Sequence, residues 1–145
     1  LGASAPVIFL RKEAQTMGDL TKNFNRSEFA CKCGCGFDKV DPRLPPMCQT
    51  IRDAMGQAIH INSGCRCEKH NRAVGSTSKD SPHTHGWAAD LSCAAGGLAL
   101  YLCIINLRDK GKLPDLSWAC WYQKKNFVHI DCGPVRNNRF AVNTK

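Results

Sequence analysis

No apolar run in this 145-residue chain approaches the roughly 20 residues that a membrane-spanning helix needs. The longest, residues 98–107, suits a buried helix instead. There is no internal repeat and no low-complexity segment. Acidic residues are scarce: 12 Asp and Glu stand against 20 Lys and Arg, a formal net charge of +8. Such a surplus favours a polyanionic partner, nucleic acid or anionic cell wall. A basic arm is also missing. Lys22, Arg26, Lys32, Lys39, Arg66, Lys69, Arg72, Lys79, Lys124, Lys125, Arg136 and Arg139 are spread along the chain, with no alternation of basic and aromatic residues. A solvated basic surface is the simpler reading, and neither nucleic acid nor membrane is expected as a partner. Residues 1–16 are not expected to be a secretory signal. Such a signal places its charges before the apolar stretch, whereas here Arg11 and Lys12 follow the short apolar patch of residues 6–10. Residues 1–16 are set apart as a leader or added extension, expected to be poorly ordered. Met17-Gly18-Asp19 reads as a natural start, and residues 17–145 as one domain.

What is present suits a globular domain. Apolar residues make up 43% and charged residues 22%, enough for one hydrophobic core. The ten cysteines, at 31, 33, 35, 48, 65, 67, 93, 103, 120 and 132, do not decide the redox compartment by their number. Cys93, Cys103 and Cys120 lie among apolar residues, as ordinary buried thiols do. Cys31, Cys33, Cys35 and Cys48 form a candidate structural zinc group, although Cys-x-Cys is tighter than the usual spacing. Cys65 and Cys67 face the same way if the chain is extended there. Three states stay open, in this order: reduced or mixed thiols, a disulfide from the Cys31–Cys35 loop to Cys65 or Cys67, and structural zinc.

Local signals predict the elements. Residues 25–29 read as a helix start or tight turn capped by Asn25 or Ser27. Pro42, Pro45 and Pro46 open a helix to about Met55, with Met47, Ile51, Ala54 and Met55 on one face and Gly56 as its stop. Strands are expected at residues 58–62, 88–93, 115–122 and, most clearly, 127–132, where apolar and polar residues alternate. Helices are expected at residues 68–74 and 98–110, and a polar loop at 76–82. The fold class is α+β, a small antiparallel sheet with helices packed on one face.

The chemistry concentrates in Ser81-Pro82-His83-Thr84-His85-Gly86-Trp87-Ala88-Ala89-Asp90 and in Phe127-Val128-His129-Ile130-Asp131. Catalytic zinc takes three protein ligands and leaves a fourth position for water. Two imidazoles and a carboxylate, His83, Asp90 and His129, meet that need. Asp131 shares a strand face with His129, because side chains alternate with period two. On spacing alone this reading competes with ordinary solvated or hydrogen-bonded histidines.

Ser81-x-His83-x-x-Gly86-x-Ala88-x-Asp90 resembles the signature of the D-Ala-D-Ala carboxypeptidase family of zinc peptidases, and His129 looks like its third ligand. Ser63-Gly64-Cys65-Arg66-Cys67 is similar to the family's Ser-Gly-Tyr-Arg element, with Cys65 where an aromatic usually stands. Residues 68–75 look like its His-Asn…Gly stretch, and residues 29–36 resemble the opening of its small, often phage-encoded, subgroup. The resemblance implies the fold shared with hedgehog-like signalling domains and a Zn2+ cofactor on His83, Asp90 and His129. It implies hydrolysis of D-amino-acid-containing peptidoglycan stem peptides or crosslinks, as a carboxypeptidase or endolysin-like endopeptidase. Arg66 is then placed to meet a substrate carboxylate or developing oxyanion, with a structural ion pair as the plain alternative. Ser81 is a candidate for binding a ligand or substrate, or else caps a turn; His85 is expected beside the site or at the surface.

Relatives often carry an acidic residue three positions before the last histidine. Here that residue is Asn126, which takes no proton, so Asp131 becomes the nearest candidate base or, equally, a support behind His129. A chain made in the cytoplasm and acting as a monomer on the bacterial wall or in the periplasm is expected, in a phage or prophage lytic role. Two alternatives stay open: a non-catalytic zinc module of the same fold, and a basic zinc-knuckle protein that binds nucleic acid.

Overall fold

The computed structural model describes residues 18–78, 80–135 and 140–145. The leader assigned to residues 1–16 lies outside the described residues, as do Lys79, Arg136 and Arg139. Helix α1 (Arg26–Phe29) starts where Asn25 lends its backbone N–H to the Glu28 carboxylate at 2.7 Å, so Asn25 rather than Ser27 is the cap. Helix α2 (Leu44–Met55) has proline in its first turn and ends at Gly56. Its buried face is Leu44, Met47, Cys48 and Ile51, whereas Ala54, expected on that face, is exposed. Strand β1 (Ile59–Ser63) leads to α3 (Glu68–Ala73), a 3-10 turn (Pro82–His85) and β2 (Ala88–Cys93). Helix α4 (Gly97–Asp109), β3 (Trp118–Tyr122), β4 (Phe127–Asp131) and β5 (Phe140–Asn143) complete the domain.

The five strands form one sheet in the order β1-β2-β4-β3-β5. The first four pair antiparallel, as the sequence suggests, but β5 joins β3 in parallel. The sheet is therefore mixed, with an edge strand that the sequence reading did not contain. Helix α4 packs across β2, β3 and β4 and against α2. Ile61, Ala89, Leu91, Ala119, Val128 and Ile130 join Leu100, Ile104, Met47 and Ile51 in the core beneath these helices. Since side chains alternate across a strand, Asp90, His129 and Asp131 are driven to the opposite face. The register seats Asp90 directly against His129 and Ala88 against Asp131.

Gly86 joins the 3-10 turn to β2 at φ 73°, and a Cβ there would lie 2.0 Å from the Lys39 carbonyl oxygen. The contact belongs to a seam in which Asp41 donates its N–H to Gly86 O at 2.9 Å. Gly86→Ala would combine a left-handed backbone with a clash against main chain. The expected loss is roughly 2–5 kcal/mol, read by denaturant unfolding; a loss below about 1 kcal/mol contradicts this seam.

Candidate metal centre

Three elements deliver three donors. His83 comes from the 3-10 turn, Asp90 from β2 and His129 from β4. All three are buried, and one ligand atom from each lies within 4.8 Å of the others. Asp90 Oδ1 is 3.3 Å from His83 Nε2 and 3.0 Å from His129 Nδ1.

The hydrogen bonds behind the rings decide which nitrogen is free for a metal. His83 Nδ1 is 2.7 Å from the Gly64 carbonyl oxygen. A carbonyl only accepts, so Nδ1 carries a proton and Nε2 is the nitrogen that faces Asp90. Gly64 can present that oxygen because its segment runs against α1: a Cβ on Gly64 would lie 2.6 Å from Phe29 O. On His129 the roles of the two nitrogens are reversed. Its Nε2 donates to Asp131 Oδ2 at 2.8 Å, leaving Nδ1 toward Asp90. Asp131 is fully buried, and its Oδ1 accepts from Ser117 Oγ at 2.9 Å and from Gly133 N–H at 3.3 Å. It thus stands behind the His129 ring, on the side away from Asp90. That is where a carboxylate supporting a metal-binding imidazole stands.

Arg66 Nη2 meets Asp90 Oδ2 at 3.0 Å. Its other donors reach Ser63 Oγ at 2.8 Å and Asn71 Oδ1 at 3.3 Å. The guanidinium fixes the ligand carboxylate and still lines the cleft beside it. Ser81 is buried at the start of the 3-10 turn and lines the same cleft; its carbonyl accepts from the Thr84 N–H and hydroxyl. His85 stacks on Trp87 at 4.0 Å and pairs with Asp80. Asn126 faces elsewhere: at φ 56° its Oδ1 accepts from the Gly97 N–H, 2.8 Å away at the start of α4. The sequence reading missed Ser117 behind Asp131 and the carbonyl of Gly64, and neither has a local signature. The cleft measures about 960 Å³, with Trp87, Trp118, Tyr122 and Phe127 as aromatic walls and Lys125 as a second cation besides Arg66.

The cysteines resolve differently from the expected grouping. None of the ten is joined in a disulfide. Cys48 is sealed in the core on α2, where burial pushes its thiol far up, and Cys67 stands with Cys31, Cys33 and Cys35 in its place. The chain leaves strand conformation at Ser63, so Cys65 and Cys67 do not share a strand face.

The donor set fits a metal such as zinc: two imidazoles, each with one nitrogen directed inward that can exchange a proton for the ion, and one carboxylate. Burial opposes charge on Asp90, but the hydrogen bonds and charges of His129 and His83 outweigh it and hold its carboxyl well below the usual range. Burial also opposes charge on His129, yet Asp131 and Asp90 raise it to about 9. In the metal-free protein His129 is therefore protonated at neutral pH. Its stabilising contribution is full below about pH 6.5 and fades as pH rises through about 9. The contribution of Asp90 is present above its ordinary pKa of 3.8 and fades only in strong acid. A metal displaces the His129 proton, so affinity rises with pH up to about 9, with release of about one proton per ion from this ring. Calorimetric titration at pH 7.5 in buffers of different ionisation enthalpy reads that release; its absence contradicts the assignment.

A family model for peptidase M15 matches residues 22–131. The match spans the cysteine loop, Arg66 and all three donors. No curated protein matches the chain. With three-quarters of its length matched, the chain belongs to peptidase M15, the D-Ala-D-Ala carboxypeptidase family of zinc peptidases.

Proposed function

We propose that this protein is a zinc peptidase of bacterial cell-wall peptide, cutting a D-amino-acid-containing stem peptide or crosslink as a carboxypeptidase or an endolysin-like endopeptidase. The observation that carries the reading is the inward aim of His83 Nε2 and His129 Nδ1 at one carboxylate oxygen, each fixed by a partner behind its ring. When bound, the metal supplies a Lewis acid for the scissile carbonyl and lowers the pKa of water. The chain's own groups do the rest. Asp131 holds the His129 tautomer. Arg66 holds Asp90 and offers positive charge to a carboxylate or oxyanion in the cleft, and Lys125 lines the same cleft. This pairing of cations with aromatic walls suits an anionic peptide, as wall stem peptides are. The protein acts as a monomer on the wall, and nucleic acid is not its partner. Apart from Asp90, Asp80 is the one carboxylate lining the cleft among the described residues, and it is paired with His85.

A second reading draws on Asn126, whose side chain serves the α4 start and supplies no base: a metal-binding module without hydrolysis. Turnover separates the two. Purified protein on peptidoglycan should release new amino groups with zinc and none after chelation. Full zinc content without release on any wall peptide would favour the module.

Asp131→Asn tests the support behind the ring. Ser117 Oγ and Gly133 N–H both point at Oδ1, so an amide places its oxygen there and its NH2 toward Nε2. That forces the proton onto Nδ1, the nitrogen directed at Asp90. Zinc affinity should fall about 10–100-fold in a competition assay with a chromogenic chelator, with the fold kept by circular dichroism. Unchanged affinity would remove Asp131 from the site.

A further inference from the structure

We propose that Cys31, Cys33, Cys35 and Cys67 form a second metal site, a structural tetrathiolate for zinc, distinct from the His83/Asp90/His129 centre.

The four sulfur atoms lie within 4.8 Å of one another. Tetrahedral zinc with Zn–S bonds of about 2.3 Å sets its sulfurs about 3.8 Å apart. Cys31 Sγ is 3.4 Å from Cys33 Sγ, and Cys33 Sγ is 3.7 Å from Cys67 Sγ. These separations lie near that edge and far from the roughly 2.05 Å of a disulfide. The sulfurs also receive backbone donors: the Cys67 N–H points at Cys31 Sγ and the His70 N–H at Cys67 Sγ, both at 3.4 Å. Such N–H···S bonds stabilise thiolates, and outer-shell partners of this kind orient metal ligands. The loop holds its shape by its own main-chain bonds, with Cys31 N–H to Phe37 O at 2.8 Å and Gly34 N–H to Cys31 O at 3.2 Å.

Cys48, Cys65, Cys120 and Cys132 are buried, as free cysteines ordinarily are, whereas in this cluster Cys31 alone is buried: Cys67 is half-buried, and Cys33 and Cys35 are exposed yet converge on the other two. Three ligands come from one short loop and the fourth from a residue 34 positions beyond Cys33. Closing that gap with a soft-ligand metal ties the N-terminal loop to the start of α3. Arg66, which holds Asp90, is the immediate neighbour of Cys67, so the same clamp fixes the base of that arginine.

The test counts metal and reads its ligands. Protein purified with zinc present and chelators absent should hold two zinc ions per chain by elemental analysis, falling to one in Cys33→Ser/Cys67→Ser. His83→Ala/His129→Ala should also hold one. Cobalt substitution tells the sites apart. The intense thiolate-to-cobalt charge-transfer absorption should persist in the histidine variant and vanish in the cysteine variant. Should the cysteine variant not fold, the cobalt spectrum of the histidine variant and of the unaltered chain decides alone. A reduced chain that gives no thiolate-to-cobalt band, or a Cys33–Cys67 disulfide found by mass analysis without reductant, overturns the proposal. Either result leaves the histidine centre untouched, and loss of that centre leaves the thiolate band intact.

Discussion

The facing of Asp90 and His129 across β2 and β4 is the constraint on which the rest of the site depends. The pairing is fixed from the other face of the sheet. Leu91, Ala89, Val128 and Ile130 must all enter the core under α4, and a slip of one residue would turn each of them to solvent. The hydrophobic effect thus sets the position of a carboxylate and an imidazole that it never touches. His83 reaches the same point by another route. The short turn before β2 is pinned to the Lys39–Asp41 segment through Gly86, and Gly64 O holds the ring from behind.

Burying these groups is costly unless every one is paired. Asp90 meets the need with two imidazoles on Oδ1 and a guanidinium on Oδ2. Asp131 meets it with His129, Ser117 and Gly133. The arrangement is asymmetric in a useful way. Each ring has its outer nitrogen committed to a fixed acceptor and its inner nitrogen left to a proton or a metal. A site assembled like this needs little reorganisation when an ion enters, which is the sense in which the scaffold is prepared for catalysis.

Much of this was legible in the sequence. Alternation in residues 127–132 marked β4, and the resemblance carried by Ser81-x-His83-x-x-Gly86-x-Ala88-x-Asp90 singled out His83, Asp90 and His129, which the structure brings together. Strand β5 was missed: its four residues are half-buried or exposed at a sheet edge, and its parallel partner β3 lies far back in the chain. No local pattern announces such a pairing. Ala54 was misplaced because the buried stripe of α2 follows Leu44, Met47, Cys48 and Ile51. The two roles open to Asp131 could not be separated by period-two geometry, because both place it beside His129. The structure adds which ring nitrogen it meets, Nε2, on the side away from Asp90. Cys48 was grouped with the loop cysteines by nearness in sequence, but the helical period sends it to the core, and Cys67 arrives from a distant segment.

One cation is expected among His83 Nε2, Asp90 and His129 Nδ1. Crystals grown with zinc and measured on both sides of the zinc absorption edge address it directly. An anomalous peak bounded by those three groups is expected, with the His129 Nε2–Asp131 bond still made behind the ring. An anomalous map with no peak there, or with zinc bound through His129 Nε2, would contradict it.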